Sequence, residues 1–145
     1  MPDRSIPPAD RCAVEPTAAQ ISATAELPSD QPIVMLNLLR FRQDADYSAS
    51  SDLAPAEPIS GADAYAIYGA AAMPHLEAAG ASVVVQGGTA ATVIGPPGEH
   101  WDAVVLVRYP NIGAFLTMVQ NPEYIALAGH RTAALLDSRL IPSLT

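Results

Sequence analysis

The stretch Pro32-Ile-Val-Met-Leu-Asn-Leu-Leu-Arg-Phe41 decides the fold, because it is an apolar strand that carries two polar side chains, Asn37 and Arg40. A buried amide or guanidinium without a partner costs several kcal/mol of folding free energy. We therefore expect each side chain either to be held by protein partners or to be kept for a ligand. Strand alternation places Asn37 and Arg40 on opposite faces, so they cannot serve one site through the same face.

The length of the chain, 145 residues, is typical of one domain that can bury a sizeable core. Its single cysteine, Cys12, excludes an intrachain disulfide and favours a reducing compartment, so a cytoplasmic location is expected. Residues 1–8 contain no apolar signal segment, and no apolar run reaches the length of a membrane span. We expect neither export by such a signal nor a membrane partner.

The charge composition excludes several classes of function. Seven basic residues, all arginine, face fifteen acidic ones, and the net charge of -8 repels phosphate backbones, so no nucleic acid partner is expected. The absence of lysine excludes a Walker lysine, a Schiff base and a pyridoxal anchor. The chain also lacks a metal-ligand spacing, a dinucleotide loop at a helix start and a serine nucleophile elbow. We therefore expect no cofactor and no metal; haem bound through His130 has no supporting motif.

Two segments do not follow the periodic pattern of strands and helices: an N-terminal arm and a long loop. Residues 1–29 are interpreted as an N-terminal arm, with a Pro-rich part over residues 1–16 that is loose or docked on a neighbour. Its short helix begins at a capping box formed by Thr17 and Gln20. Residues 43–60 are polar and long, which predicts a disordered loop or a lid within the main domain, residues 30–145.

The hydrophobic periods predict the element order β, α, β, β, α, β, which is the α+β ferredoxin-like pattern. The expected four-stranded antiparallel sheet has its helices on one face. After the first strand, the predicted elements are a helix from the Ser60 cap to Ala79, strands over 81–95 and 101–109, helices over 112–120 and 122–136, and a short strand near 139–141.

The same topology predicts the first and third strands side by side at the sheet centre and parallel to each other. In that arrangement Arg40 and Arg108 meet at the carboxyl ends of the two strands, where their charges repel. A bound acid would join them, or else a carboxylate of the protein itself, from Asp102, Asp137 or Glu77.

Several short motifs then combine into a family resemblance. They are Met35-x-Asn37-Leu-Leu-Arg-Phe41, Tyr65-x-x-Tyr68-Gly69, Trp101-Asp102, Arg108-Tyr109-Pro110, Asn121-Pro-x-Tyr124, and His130-Arg131 through Asp137-Ser-Arg-Leu-Ile141. Together, over residues 30–142, they resemble the domain of unknown function 1330 (DUF1330) family within the dimeric α/β-barrel superfamily.

This resemblance implies a homodimer in which two four-stranded sheets face each other as a barrel, with helices outside. The family has no agreed reaction. Relatives in the superfamily include cofactor-free monooxygenases, muconolactone-type isomerases and haem-dependent enzymes, so analogy of fold does not select one activity.

Four residues are candidates for chemistry, each with a structural alternative. Asn37 can donate to a carbonyl or enolate oxygen, or serve as a satisfied core amide. Tyr65 and Tyr68 share the inner face of the first long helix and either supply a phenol to a cavity or fill the core. His130 is a candidate general base or a structural histidine, and its neighbour Arg131 points roughly 100° away, so only one of the two faces the sheet.

These candidates define two hypotheses. In the first, a cofactor-independent enzyme, resembling a monooxygenase or isomerase, acts on a small compound bearing a carbonyl or carboxylate. His130 is then the base, Asn37 and Tyr68 stabilise an enolate, and the ligand-binding residues are Arg40, Arg108, Tyr65, Trp101, Arg131 and Arg139. In the second, the protein is a non-catalytic dimeric binding or assembly module, and the same residues satisfy one another, for example Arg139 with Asp137. Convergence of Asn37, Tyr68 and His130 on one cavity discriminates the two.

Overall fold

The computed structural model describes residues 6–144, which form one four-stranded antiparallel sheet covered by helices on one face. The strands are β1 (Ile33–Phe41), β2 (Ser82–Gly88), β3 (Ala103–Tyr109) and β4 (Leu135–Leu144). Their order in the sheet is β2-β3-β1-β4, and every neighbouring pair is antiparallel. The predicted ferredoxin-like sheet is confirmed, but the parallel arrangement of the first and third strands is wrong.

The helices follow the predicted order with one difference. They are α1 (Ala18–Ala25), α2 (Gly61–Ala78), α3 (Ile112–Gln120), α4 (Pro122–Leu127) and α5 (Gly129–Ala134), with short 3-10 turns at Ala9–Arg11 and Ser51–Leu53. The helix expected over residues 122–136 is divided at Ala128, and the chain leaves it at Leu135 to begin a long β4. No helix among the described residues is long and apolar enough to cross a membrane.

The two faces of the sheet differ in what covers them. Ile33, Met35 and Leu39 of β1 are buried in the core beneath the helices, and we call this side the helix face. The other side, the open face, carries the alternate apolar residues of the central strands; these are Val34, Leu36, Leu38, Val104 and Leu106. They are only partly buried, so the open face presents apolar surface outside the core of the chain.

The antiparallel register separates Arg40 from Arg108. Arg108 pairs with Val34, six residues before Arg40, so the two arginines lie roughly 20 Å apart along the sheet. Arg108 is exposed, whereas Arg40 is 7% exposed and lies opposite Asp137 of β4. The expected meeting of two guanidiniums around a shared acid is therefore wrong.

The described part of the Pro-rich segment of the arm, residues 6–16, is docked on its own chain. The backbone N–H of Ala13 donates to Asp137 Oδ1 at 2.9 Å, and Ser138 Oγ donates to the Ala13 carbonyl at 2.8 Å. The capping box of Thr17 and Gln20 at the start of α1 is confirmed, with both of its hydrogen bonds present. The prediction for residues 1–5 lies outside the described residues.

The loop over residues 43–60 is ordered, which contradicts the expectation of disorder. Asp44 and Ser60 form an isolated β-bridge, and the N–H of Ala45 donates to the Ile59 carbonyl at 3.0 Å. The N–H of Asp46 also donates to the Ala133 carbonyl of α5 at 2.9 Å. Because the loop closes on itself and on α5, it satisfies its polar backbone without a long sheet or helix.

Candidate functional site

A cavity of about 640 Å³ lies between the helix face of the sheet and the helix layer. This volume is within the range of small-molecule sites. Its wall is mainly apolar and includes Val83, Val105, Val107, Leu140, Ala72, Leu76, Phe115, Leu116 and Val119. Polar side chains on this wall limit what the cavity can hold, and they are Glu15, Asn37, Tyr65, Tyr68, Gln86, Tyr109, Gln120, Tyr124, Arg131 and Thr132.

The first polar feature is a pair of tyrosines, Tyr68 on α2 and Tyr124 on α4, which we call the phenol pair. Their hydroxyl oxygens are 2.5 Å apart, and their rings meet edge to face at a centroid distance of 6.3 Å. Since one hydroxyl donates to the other, the acceptor keeps its own proton. The phenol pair can therefore offer one O–H donor to a third oxygen in the cavity.

Tyr65 and Tyr68 remain neutral over the physiological range. Burial raises the pKa of the Tyr68 phenol above its ordinary value of 10.0, and the neighbouring Tyr124 raises it further. Burial also raises the pKa of Tyr65, which lies beside Tyr68 with ring centroids 5.4 Å apart. These phenols act as hydrogen-bond donors and not as bases.

Asn37 lies on the sheet wall of the cavity, opposite Val105 in the register. Its Nδ2 donates to the Val105 carbonyl at 3.1 Å. An amide has two N–H donors and an acceptor oxygen, so this bond anchors Asn37 without using its full capacity. The structure thus places Asn37 on the cavity wall and gives it the backbone partner expected of a core amide.

Arg131 is the basic residue that faces the cavity from α5. Its Nη1 donates to the Val14 carbonyl of the arm at 2.8 Å. Val14, Glu15 and Pro16 complete the cavity wall at this point, and Thr132 Oγ1 donates to Glu15 Oε1 at 3.3 Å. The arm is therefore part of the candidate site, a role that its Pro-rich composition did not indicate.

His130 lies outside the cavity. Its Nδ1 is 2.8 Å from the Tyr47 hydroxyl of the 43–60 loop, and the two rings meet edge to face at 5.6 Å. Consecutive helical residues point about 100° apart, and it is Arg131 that faces the sheet. The expected convergence of Asn37, Tyr68 and His130 is therefore met by the first two only, and the placement of His130 as a base in this cavity is wrong.

Arg139 and Trp101 belong to a structural cluster in the first half of β4. Arg139 Nη1 forms an ion pair with Asp137 Oδ1 at 2.6 Å, and its guanidinium carbon lies 5.3 Å from the centre of the Trp101 ring. Neither residue lines the cavity, nor do Arg40 and Arg108. The structural alternative, pairing of Arg139 with Asp137, is confirmed. Among the described residues, no group of three or more His, Cys, Asp and Glu is placed to hold a metal ion.

Tyr124 was missed as a site residue, although its motif was visible. The Asn121 side chain caps α4 by accepting from the Glu123 N–H at 2.9 Å, which fixes the phase of the helix. Residues 124, 128 and 131 then follow at helical spacing, and all three line the cavity. This spacing could have indicated Tyr124, but its partner Tyr68 lies on another element and could not be found from local pattern.

The buried phenols make the stability of the fold sensitive to alkaline pH. Burial raises the pKa of Tyr65, Tyr68 and Tyr109 above 10.0 in the folded protein. Above pH 10 the unfolded chain therefore loses protons that the folded chain keeps, and the free energy of unfolding falls as pH rises. In this range we expect Tyr68→Phe to make the fall of the free energy of unfolding with pH less steep, by about 1.4 kcal/mol per pH unit. Urea unfolding at several pH values between 8 and 12 measures this slope, and equal slopes for variant and wild type would contradict the expectation.

Comparisons with known proteins place the chain among proteins without an established activity. Residues 56–142 match the family model described as a domain of unknown function, DUF1330. The crystal structure of a protein of unknown function from Rhodopseudomonas palustris is 38% identical, covers 91% of this chain and 95% of its own, and superimposes with a TM-score of 0.81. The methylated form of that protein is 37% identical, covers 93% and 96%, and has a TM-score of 0.83.

A more distant solved structure shows the fold alone. It is a dabb family protein with a ferredoxin-like fold from Mesorhizobium loti, which is 11% identical and covers 79% of this chain and 96% of its own, at a TM-score of 0.50. No curated protein matches the chain. What the site does must therefore be argued from its own residues.

Proposed function

This chain belongs to the DUF1330 family, and from its cavity we propose that it is a small-molecule-binding protein. The ligand is one largely apolar molecule that carries a carbonyl or carboxylate oxygen. The observation that carries this proposal is the phenol pair of Tyr68 and Tyr124, which keeps one O–H donor and lines a mainly apolar cavity of about 640 Å³. In such surroundings a hydrogen bond to a ligand oxygen is strengthened by the low local dielectric.

Binding is favoured over base catalysis by the groups that line the cavity. Among the described residues there, those that ionise are Glu15, Arg131 and the tyrosines. Glu15 is exposed and accepts a hydrogen bond from Thr132, while burial raises the pKa of Tyr65, Tyr68 and Tyr109 and keeps these three phenols neutral. The histidine proposed from the sequence as a base is engaged by Tyr47 instead.

A cofactor-independent isomerase- or monooxygenase-like reaction is the second candidate. It is favoured by one observation: the positive charge of Arg131 acts on the phenols of Tyr65 and Tyr68, whose pKa values it lowers against the larger effect of burial. A neutral phenol beside a cation can stabilise a developing enolate. Turnover of a bound carbonyl compound that is lost in Tyr68→Phe would favour this reaction over binding alone.

The binding proposal is tested by blocking the cavity from α2. Gly69 lines the cavity, and a Cβ added there would meet no atom within 4 Å. We expect Gly69→Phe to place a ring in the ligand volume and to reduce the affinity for 2-acetonaphthone, a neutral carbonyl probe, by at least about tenfold. The matched control Gly69→Ala should bind as wild type does. Isothermal titration calorimetry measures both, and equal affinity for all three proteins would contradict the proposal.

We further propose that a second copy of the chain covers the open face, as the family resemblance implies. Leu36 lies at the centre of this face, opposite Leu106 of β3 and Ile141 of β4. A contiguous apolar sheet surface of this kind is typical of a subunit interface.

A charge at the centre of the open face is therefore expected to separate the subunits. Size-exclusion chromatography with light scattering should give twice the chain mass of 15.1 kDa for wild type. For Leu36→Arg it should give the mass of one chain. The control is Ile125→Arg, which adds the same charge at a residue that is 58% exposed on the helix layer. A monomeric wild type, or an unchanged mass for Leu36→Arg, would contradict the homodimer.

A further inference from the structure

Arg131 is a cation on the wall of an apolar cavity with no counter-ion in the described protein. No described carboxylate forms an ion pair with it, in contrast to Arg139, which pairs with Asp137 at 2.6 Å. Glu15 of the arm also lines the cavity, but it is exposed and accepts a hydrogen bond from the Thr132 hydroxyl. Arg131 is half-buried, and a charge partly withdrawn from water is less favourable without a partner than with one, so its position favours an anion from outside the chain.

The guanidinium also has donors to spare. It presents five N–H groups in a fixed plane, and its hydrogen bond to a described residue is the one from Nη1 to the Val14 carbonyl at 2.8 Å. That bond uses one of the five N–H donors and leaves the other donors for a ligand. Two parallel N–H donors match the two oxygens of a carboxylate.

We propose that the cavity binds an organic acid as its anion and that Arg131 is the residue that selects it. This inference rests on the proposed binding function and names the chemical class of its ligand. The carboxylate pairs with Arg131, and the apolar remainder of the acid lies against the sheet wall. The phenol pair can donate an O–H to an oxygen of the ligand.

The surroundings favour a singly charged acid over a phosphate. One arginine compensates one negative charge, while the chain as a whole carries a net charge of -8 that opposes highly charged anions. The apolar area of the cavity wall also favours a ligand whose larger part is hydrocarbon. The single arginine and the apolar wall therefore favour an apolar monocarboxylate as the ligand.

The arm holds Arg131 in position. Val14 accepts from Arg131, and the preceding residue, Ala13, is fixed to Asp137 and Ser138 of β4 by two hydrogen bonds. Because Asp137 is 5% exposed and tied to the sheet, the arm provides a rigid support for the guanidinium. Val14 is thus a positioning residue that acts through its backbone carbonyl.

The test compares 2-naphthoate with 2-naphthamide, which has nearly the same shape and no charge. By isothermal titration calorimetry at pH 7, we expect wild type to bind the acid about ten- to a hundredfold more tightly than the amide, the scale of a charge-assisted pair of hydrogen bonds. Arg131→Gln should lower the affinity for the acid to that of the amide and leave the amide unchanged. The control Arg11→Gln, which removes the same charge from an exposed residue outside the cavity wall, should keep the full preference.

A conservative variant distinguishes the loss of ligand selection from the loss of the fold. Arg131→Lys keeps the charge and loses the two-donor plane, so we expect part of the preference to remain while circular dichroism stays that of wild type. If Arg131→Gln does not fold, the comparison of acid and amide in wild type and Arg131→Lys decides the question.

The outcomes separate the two proposals. Equal binding of acid and amide to wild type, or a preference that survives in folded Arg131→Gln, overturns the selection of an acid. If in that case Gly69→Phe still blocks the amide, the binding function stands. Absence of binding by both compounds overturns the acid inference and the binding function together.

Discussion

Replacing Gly61 with alanine is expected to destabilise the fold by about 3 kcal/mol or more. A Cβ at this position would overlap the carbonyl oxygen of Arg42, and it would lie 2.6 Å from the Ala134 carbonyl oxygen and 2.7 Å from the Arg42 nitrogen. All of these are backbone atoms, so no side chain can turn aside to make room. The start of α2, the end of β1 and the end of α5 would have to move apart.

The same helix contains the control. At Gly69 an added Cβ meets nothing within 4 Å, and alanine in a helix interior is favoured over glycine by about 0.5–1 kcal/mol. We expect Gly69→Ala to be neutral or stabilising in urea unfolding followed by circular dichroism. A Gly61→Ala variant within about 1 kcal/mol of wild type would show that this junction is not packed as described.

Replacing Asp137 with asparagine is the second change with a large expected effect. The Asp137 carboxylate is 5% exposed, and its Oδ1 accepts from the N–H of Ala13, the N–H of Ser138 and Arg139 Nη1. The asparagine leaves Arg139 without its counter-ion. Its amide N–H₂ also cannot accept the hydrogen bonds that the carboxylate oxygen accepts now. Breaking a buried ion pair by removing one partner costs about 3–5 kcal/mol, and the exposure of Arg139 on the other side lowers this to roughly 2–4 kcal/mol.

This variant should also loosen the arm. With the anchor of Ala13 weakened, trypsin is expected to cleave after the exposed Arg11 faster than in wild type. The control is Asp52→Asn, which removes an exposed carboxylate in the 43–60 loop. Unfolding and cleavage of Asp137→Asn at the rates of wild type would exclude Asp137 as the anchor of the arm.

Local signals in the sequence predicted much of the fold. The capping box at Thr17, the cap at Ser60 and the cap at Asn111 each satisfy N–H groups within four residues, so the starts of α1, α2 and α3 can be found without knowledge of the fold. The boundary near Leu135 could not be found in this way. Leu135 is fully buried opposite Phe41 in the β1–β4 ladder, and this long-range pairing ends a helix that local propensity would continue.

The sequence predicted only those residues of the candidate site whose position follows from the pattern of a single strand or helix. Alternation along β1 and spacing along α2 placed Asn37, Tyr65 and Tyr68 on the cavity wall. The phase of α5 relative to the sheet, which selects Arg131 over His130, depends on the break after α4. The contribution of Val14 depends on the docking of the arm against β4, because contacts between residues more than a hundred positions apart leave no local pattern.

The most direct test of the binding site is a crystal structure of the protein with 2-naphthoate. The cavity proposal predicts the naphthyl group between the sheet and α2, an oxygen within hydrogen-bond distance of Tyr68 or Tyr124, and the carboxylate on Arg131. Density for the compound only on the outer surface, with the phenol pair and Arg131 in contact with protein alone, would contradict it.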